Sequence, residues 1–199
     1  MTSYCSPSHE EIYDKTKTCY TKDQLVFIAK KYNNTRKDKR SHIKLNTLKK
    51  ELLHQLHNKL KVNEHEWNDL SFMKQIQNSK KNELKESFKP DQPKEWKLNP
   101  REWLNTNDID NVMGQYEKKY PSFKFLGVMP IDFEHKVYGI HCVNELMCTF
   151  DVKSMLDNGV TQCGSILNLD YHYQSGSHWV CMYIGLTPSN RNFGLYYVN

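Results

Sequence analysis

The sequence predicts an α+β protein, with a helical N-terminal domain at residues 1–88 and a sheet-bearing domain at residues 89–199. Apolar residues in the first half recur at helical spacing, whereas the second half breaks into apolar runs of strand length bounded by Gly, Pro and Asn. Charge divides the same way: residues 30–97 carry 18 Lys and Arg against 9 Asp and Glu, and the remainder is net acidic. Three prolines between Phe88 and Trp103, in "FKPDQPKEWKLNPREW", mark a linker or an extended crossing segment between the two.

In "YTKDQLVFIAKKYNN", Thr21 with Gln24 three residues on forms a capping box, and Leu25, Ile28, Ala29 and Tyr32 fall on one helical face. "IKLNTLKKELLHQLHNKL" places leucine at 45, 48, 52, 56 and 60, predicting a second helix with a single apolar stripe. Trp67, Leu70, Met73 and Ile76 suggest a third. The order of helix, basic linker "TRKDKR" and helix resembles SAP-type nucleic-acid-binding modules. A phosphate contact through residues 30–97 and a plainly solvated charged face are both open from the charge pattern.

"NTNDIDNVMGQYEKKYP" predicts a helix with Asp108 and Asp110 in its first turn, Lys118 and Lys119 in its last, and Pro121 as its stop. "FKFLGVMP" reads as a buried strand, "DVKSMLDNG" as a short helix terminated by Gly159, and "TQCGSILNLD" as a second strand. "HWVCMYIGL" and "FGLYYVN" form a β-hairpin across "TPSNRN", where Pro188 suits the second position of a type I turn. If Leu186 faces Phe193 across that hairpin, Asn199 lies opposite Val180. His178 and Asn199 then project from the same face.

No apolar run approaches the roughly 18 residues of a membrane span, and the polar start "MTSYCSPSHEEIYD" lacks the regions of a signal peptide. A soluble, non-secreted chain is expected. Its six irregularly spaced cysteines are expected as free thiols in a reducing compartment. No metal or cofactor is expected: "HCVNELMC" has no second ligand pair at zinc spacing, so Cys142 and Cys148 read as structural thiols, and the histidines form no HExxH motif.

His178 at a strand start beside a carboxamide has a chemical use. The Asn199 oxygen can accept the Nδ1 hydrogen, leaving Nε2 to take a proton from a thiol. Spacing alone also admits a histidine that only ends a strand and an asparagine that only sits in a turn. No cysteine present suits the nucleophile's role. Cys181 is an odd number of residues from His178 on one strand, so it faces away and is expected in the core, and Cys163 enters a strand rather than a helix N-terminus.

The run "LNLDYHYQSGSHWVCMYIGL" followed by "LYYVN" resembles the His-Trp strand and the acid-bearing strand of the adenain and SUMO-protease clan of cysteine peptidases. The likeness is strongest to the versions carried by large cytoplasmic DNA viruses, such as the polyprotein protease of African swine fever virus and the thiol proteases of mimivirus-like viruses. "NPREWLNTNDIDNVMGQYEKKYPSFKFLGVMPIDF" resembles the segment preceding the catalytic histidine there. The resemblance covers Pro93 to Asn199, and the helical half only loosely. It implies His178 as general base, Asn199 as its orienting partner (Asp in many relatives) and Trp179 as an aromatic beside the substrate channel. The family's oxyanion glutamine and nucleophilic cysteine lie beyond the acid position, so the resemblance implies the front, sheet-bearing portion of such a protease, inactive alone. It further implies cleavage of Gly-Gly-Xaa sites in viral structural precursors during maturation, in the host cytoplasm and the virion. Removal of ubiquitin-like modifiers and a noncatalytic nucleic-acid-binding scaffold are the alternatives.

Overall fold

The computed structural model describes residues 4–189 and 191–199. It divides into two compact units, one ending at Asp91 and the other beginning at Gln92, and both helices and a mixed sheet are present, as an α+β chain requires. Met1–Ser3, part of the polar start "MTSYCSPSHEEIYD", and Asn190, part of the expected turn "TPSNRN", lie outside the described residues. Among the described residues no helix is long and apolar enough to cross a membrane.

The first unit contains α1 (Glu10–Thr16), α2 (Lys22–Asn34), α3 (Lys49–Leu60) and α4 (Asn78–Lys85), with short 3-10 turns before α1 and on either side of α3. Thr21 caps α2 reciprocally with Gln24, the hydroxyl accepting the Gln24 N–H at 3.2 Å and the carboxamide accepting the Thr21 N–H at 2.8 Å. The expected face of α2, Leu25, Ile28, Ala29 and Tyr32, is buried, and it packs with Leu52, Leu53 and Leu56 of α3 and with Trp67, Met73 and Leu84. The leucine stripe begins later than its spacing suggests. Leu48 is the exposed N-cap of α3, and Leu45 lies in the loop before it.

The third helix expected around Trp67 is instead a pair of 3-10 turns, Glu64–Asp69 and Ser71–Met73. Leu70 between them is extended (φ −64°, ψ 149°), which interrupts any helical ladder. The turns serve a buried carboxylate. Glu64 accepts hydrogen bonds from the Thr18 hydroxyl and from His57 Nε2 at 3.1 Å, and its backbone carbonyl accepts from the Tyr20 hydroxyl at 3.1 Å. Burial, with the Glu64 charge beside it, pushes the Tyr20 hydroxyl upward from its ordinary range, so it serves as a donor. Trp67 stacks on Tyr20 at 5.7 Å and donates Nε1–H to the Val62 carbonyl at 3.1 Å.

The cysteines differ from the free-thiol expectation. Cys5 is bonded to Cys19 and Cys142 to Cys148, leaving Cys163 and Cys181 as thiols. No CxxC spacing marks these pairs, which lie 14 and 6 positions apart. Cys5 is brought to its place by a bridge to Phe88, flanked by Ser6 N–H to the Ser87 carbonyl at 3.0 Å and Lys89 N–H to the Tyr4 carbonyl at 2.9 Å.

The second unit opens with α5 (Thr106–Lys119), capped by Asn105 in a reciprocal box with Asp108. Strands β1 (Phe123–Pro130), β4 (Gln162–Asn168), β5 (Trp179–Gly185) and β6 (Gly194–Val198) form one sheet in the order β1-β4-β5-β6, while β2 (Lys136–Val137) and β3 (His141–Cys142) make a two-stranded ladder. β1 pairs parallel with β4, and the remaining pairs are antiparallel. Between β1 and β4 the chain crosses through α6 (Glu145–Cys148) and α7 (Val152–Asp157). Met147 and Met155 from these helices pack against Leu126, Met129, Cys163, Leu167 and Val180 on one face of the sheet. α5 packs against β1. The outer strand β6 is poorly covered, with Leu195, Tyr196, Tyr197 and Val198 all exposed.

Trp67→Ala should destabilise the first unit by about 3–5 kcal/mol, the usual cost of removing a fully buried indole, as measured by denaturant unfolding. Alkylation of the denatured, unreduced chain should label two of its six cysteines, Cys163 and Cys181, which mass spectrometry reads directly.

Candidate active site

The hairpin holds the register that its turn implies. Cys181 pairs with Val198 and Gly185 with Gly194, so the next position places Asn199 opposite Val180 and on the face of His178. The two side chains meet, with His178 Nε2 2.7 Å from Asn199 Oδ1. The ring nitrogen differs from the sequence expectation. Because a carboxamide oxygen only accepts, Nε2 carries the hydrogen, and the lone pair of the neutral ring sits on Nδ1. A half-turn about χ2 exchanges the two nitrogens without moving the ring's outline. Both side chains are exposed.

His178 sits one residue before β5 and is already tied into the sheet, its carbonyl accepting the Leu169 N–H at 3.0 Å. The loop leading to it is laced by two residues of the "LNLD" run. Asn168 Oδ1 accepts from the backbone N–H of Asp170 at 3.0 Å and of Ser177 at 3.2 Å. The Asp170 carboxylate accepts the Gly176 N–H at 3.1 Å and the Ser177 hydroxyl at 2.5 Å. Gly176 has φ +92°, and a Cβ there would stand 2.7 Å from Asn168 Nδ2, so the loop closes this tightly only with glycine.

At this end of the sheet lies a cleft of about 650 Å³, lined by Trp103, Leu104, Met129, Asn168, His172 and Trp179 among others. Trp179 projects from the strand face opposite to His178 and is fixed by its Nε1–H donating to the Leu104 carbonyl at 3.1 Å. Trp179 lines this cleft and His178 does not. Trp103 lines the cleft as well and is half exposed. Its part is invisible in sequence because it stands 76 positions before Trp179.

A histidine-carboxylate pair also sits on the rim. His172 donates its backbone N–H to Asp132 Oδ1 at 2.8 Å and its Nδ1–H to Oδ2 at 2.6 Å, and the His135 ring stacks on it at 4.9 Å. Desolvation raises the Asp132 carboxyl, but the hydrogen bonds and charge of His172 outweigh it and hold the group below its ordinary value. Forty positions separate the partners, so no local motif announces them.

Neither thiol is placed to react with His178. Cys163 is fully buried in β4, and burial pushes its thiol up to about 11 despite the opposing effect of Lys124. Cys181 is half-buried and turned to the face opposite His178. Contrary to the expectation of a core position, it lies outside the apolar cluster that Val180, Met182 and Ile184 join.

No family model matches the chain, and no solved structure matches it. It is similar to the protein named "Putative thiol protease" in Acanthamoeba polyphaga mimivirus, 31% identical over 97% of this chain. This chain is a relative of that viral protein. It spans 64% of the relative's length.

Because its folded-state value is depressed, Asp132 contributes stability above the ordinary Asp value of 3.8 and loses it as the pH falls below that point. Amides of residues 171–177 should then exchange faster than their intrinsic rates account for. Asp132→Asn should show the faster exchange already at neutral pH, as read by hydrogen-exchange mass spectrometry.

Proposed function

We propose that the chain is the base-bearing part of a viral cysteine endopeptidase of the adenain and SUMO-protease type, with His178 as general base and Asn199 holding its ring. The single observation that carries this reading is the 2.7 Å contact between the two side chains at the start of β5. The thiol-protease name of the viral relative supports the same chemistry. With Cys163 buried and Cys181 facing away, the attacking thiol and the oxyanion-hole donors are assigned to chain outside these 199 residues.

In the assembled site, the free nitrogen of His178 takes the thiol proton as sulfur bonds to the scissile carbonyl carbon. The imidazolium, held by the Asn199 oxygen, then gives that proton to the departing amine. A thioester acyl-enzyme remains. Water, deprotonated by the same histidine, attacks the thioester and releases the acid while the thiol is restored.

We assign the substrate as a Gly-Gly-Xaa sequence in viral structural precursors, cleaved during maturation in the host cytoplasm and the virion. Trp103 and Trp179, both lining the cleft, support a channel that admits backbone with little side chain.

The 199-residue chain should not turn over a labelled Gly-Gly-Xaa peptide; turnover that Cys163→Ala abolishes would overturn this assignment of roles. In a longer form containing the thiol, His178→Ala should lower kcat/KM by about 10²–10⁴-fold, the usual contribution of a general base. There, Trp179→Ala should relax the penalty for Ala in place of the second Gly, a discrimination typically worth about 1–3 kcal/mol. An unchanged Gly-to-Ala ratio in a folded variant would make the indole a packing residue.

A further inference from the structure

The segment between α2 and α3 is closed rather than open. The Asn33 carboxamide accepts the Ile43 N–H at 2.8 Å and donates to the Ile43 carbonyl at 2.9 Å, and the Ile43 side chain is buried in the core. These contacts form the neck of a loop spanning residues 35–42. Inside the loop, Asp38 Oδ1 accepts the Arg40 N–H at 2.9 Å, the Ser41 hydroxyl donates to the Asp38 carbonyl at 2.6 Å, and His42 Nε2 donates to the Arg36 carbonyl at 3.0 Å. The Arg36 guanidinium lies over the Tyr32 ring, 4.8 Å from its centroid. The backbone therefore satisfies itself, and the long side chains are left pointing out.

Those side chains are of one sign. Arg36, Lys37, Lys39, Arg40 and Lys44 are all exposed, and among the described residues none of them forms an ion pair. Lysines elsewhere in this unit do: Lys80 with Glu83 at 2.6 Å, Lys81 with Asp69 at 3.6 Å and Lys89 with Glu10 at 3.6 Å. Glu83, Asp69 and Glu10 are thus engaged away from the loop, and Asp38, the one acid within it, has an oxygen turned to the backbone. A charged face that existed only for solubility would mix both signs.

We propose that this closed loop is a docking surface for the phosphate backbone of double-stranded nucleic acid. A run of phosphates complements a cluster of exposed cations that form no ion pair among the described residues, and a backbone already closed loses little conformational entropy on binding. Residues 35–42 include no apolar side chain, so nothing in the loop can insert into a bilayer or fill a pocket on a protein partner. With no side chain committed to reading base edges, binding is indifferent to sequence. The inference stands apart from the proteolytic reading and needs no catalytic group.

The test uses the 199-residue chain and labelled duplexes of DNA and of RNA, read by fluorescence anisotropy. With about four phosphates engaged, affinity should fall about 100-fold between about 50 and about 200 mM salt. The exposed triple variant Lys37→Gln, Lys39→Gln, Arg40→Gln should bind at least about tenfold more weakly, with a salt slope shallower by about 2.7, three contacts at about 0.9 each. Lys81→Gln with Lys89→Gln, which removes paired lysines, should leave binding unchanged. Binding of either duplex with this pattern supports the surface. Equal binding by the triple variant, no binding at low salt, or binding only to phosphatidylserine vesicles would overturn it.

Discussion

Hydrogen bonding along both edges of β5, to β4 on one side and β6 on the other, fixes which way every side chain near the candidate site points. Alternation along the strand sends Val180, Met182 and Ile184 toward the cluster under α6 and α7, and therefore His178 to the same side. Trp179 is sent to the other side, where the Leu104 carbonyl meets its indole. The His178–Asn199 contact and the tryptophan wall of the cleft are thus two results of one register. A slip of a single residue would exchange them and turn the apolar cluster outward.

The helical unit obeys a different constraint. Glu64 is buried, and a buried carboxylate is tolerated only when its oxygens are engaged. Thr18 and His57 meet that requirement from two separate stretches of chain, and Tyr20 bonds the backbone beside it. The Cys5–Cys19 bond closes the same neighbourhood covalently. The ends of the unit are drawn together by polar contacts as much as by the leucines of α3.

What the sequence made legible follows from the range of the interaction responsible. The α2 cap, the α5 helix with its C-terminal lysines, the strand at Phe123, the glycine after α7 and the hairpin register are set by residues a few positions apart, and pattern reading recovers them. The α3 leucines predicted a longer helix than forms, because Leu48 satisfies the spacing while serving as the cap. α4 buries only Leu84 and has no apolar period to notice. In the candidate site, His178, Asn199 and Trp179 were legible because the hairpin and a family resemblance brought them to attention. Trp103 and the Asp132–His172 pair join distant positions through tertiary packing, and nothing in local spacing encodes them, while the Cys5–Cys19 and Cys142–Cys148 bonds, 14 and 6 positions apart, carry no recognisable motif.

The outermost strand carries a consequence for handling the protein. β6 has exposed apolar side chains on both of its faces, and among the described residues its far edge is unpaired. Sheets usually protect such an edge with lysine, proline, a bulge or a covering element; the run Leu195, Tyr196, Tyr197, Val198 has no charge and no proline. At high concentration that edge is where another strand can add through main-chain hydrogen bonds. Self-association through β6 would then depend on strand pairing rather than on the chain's net charge.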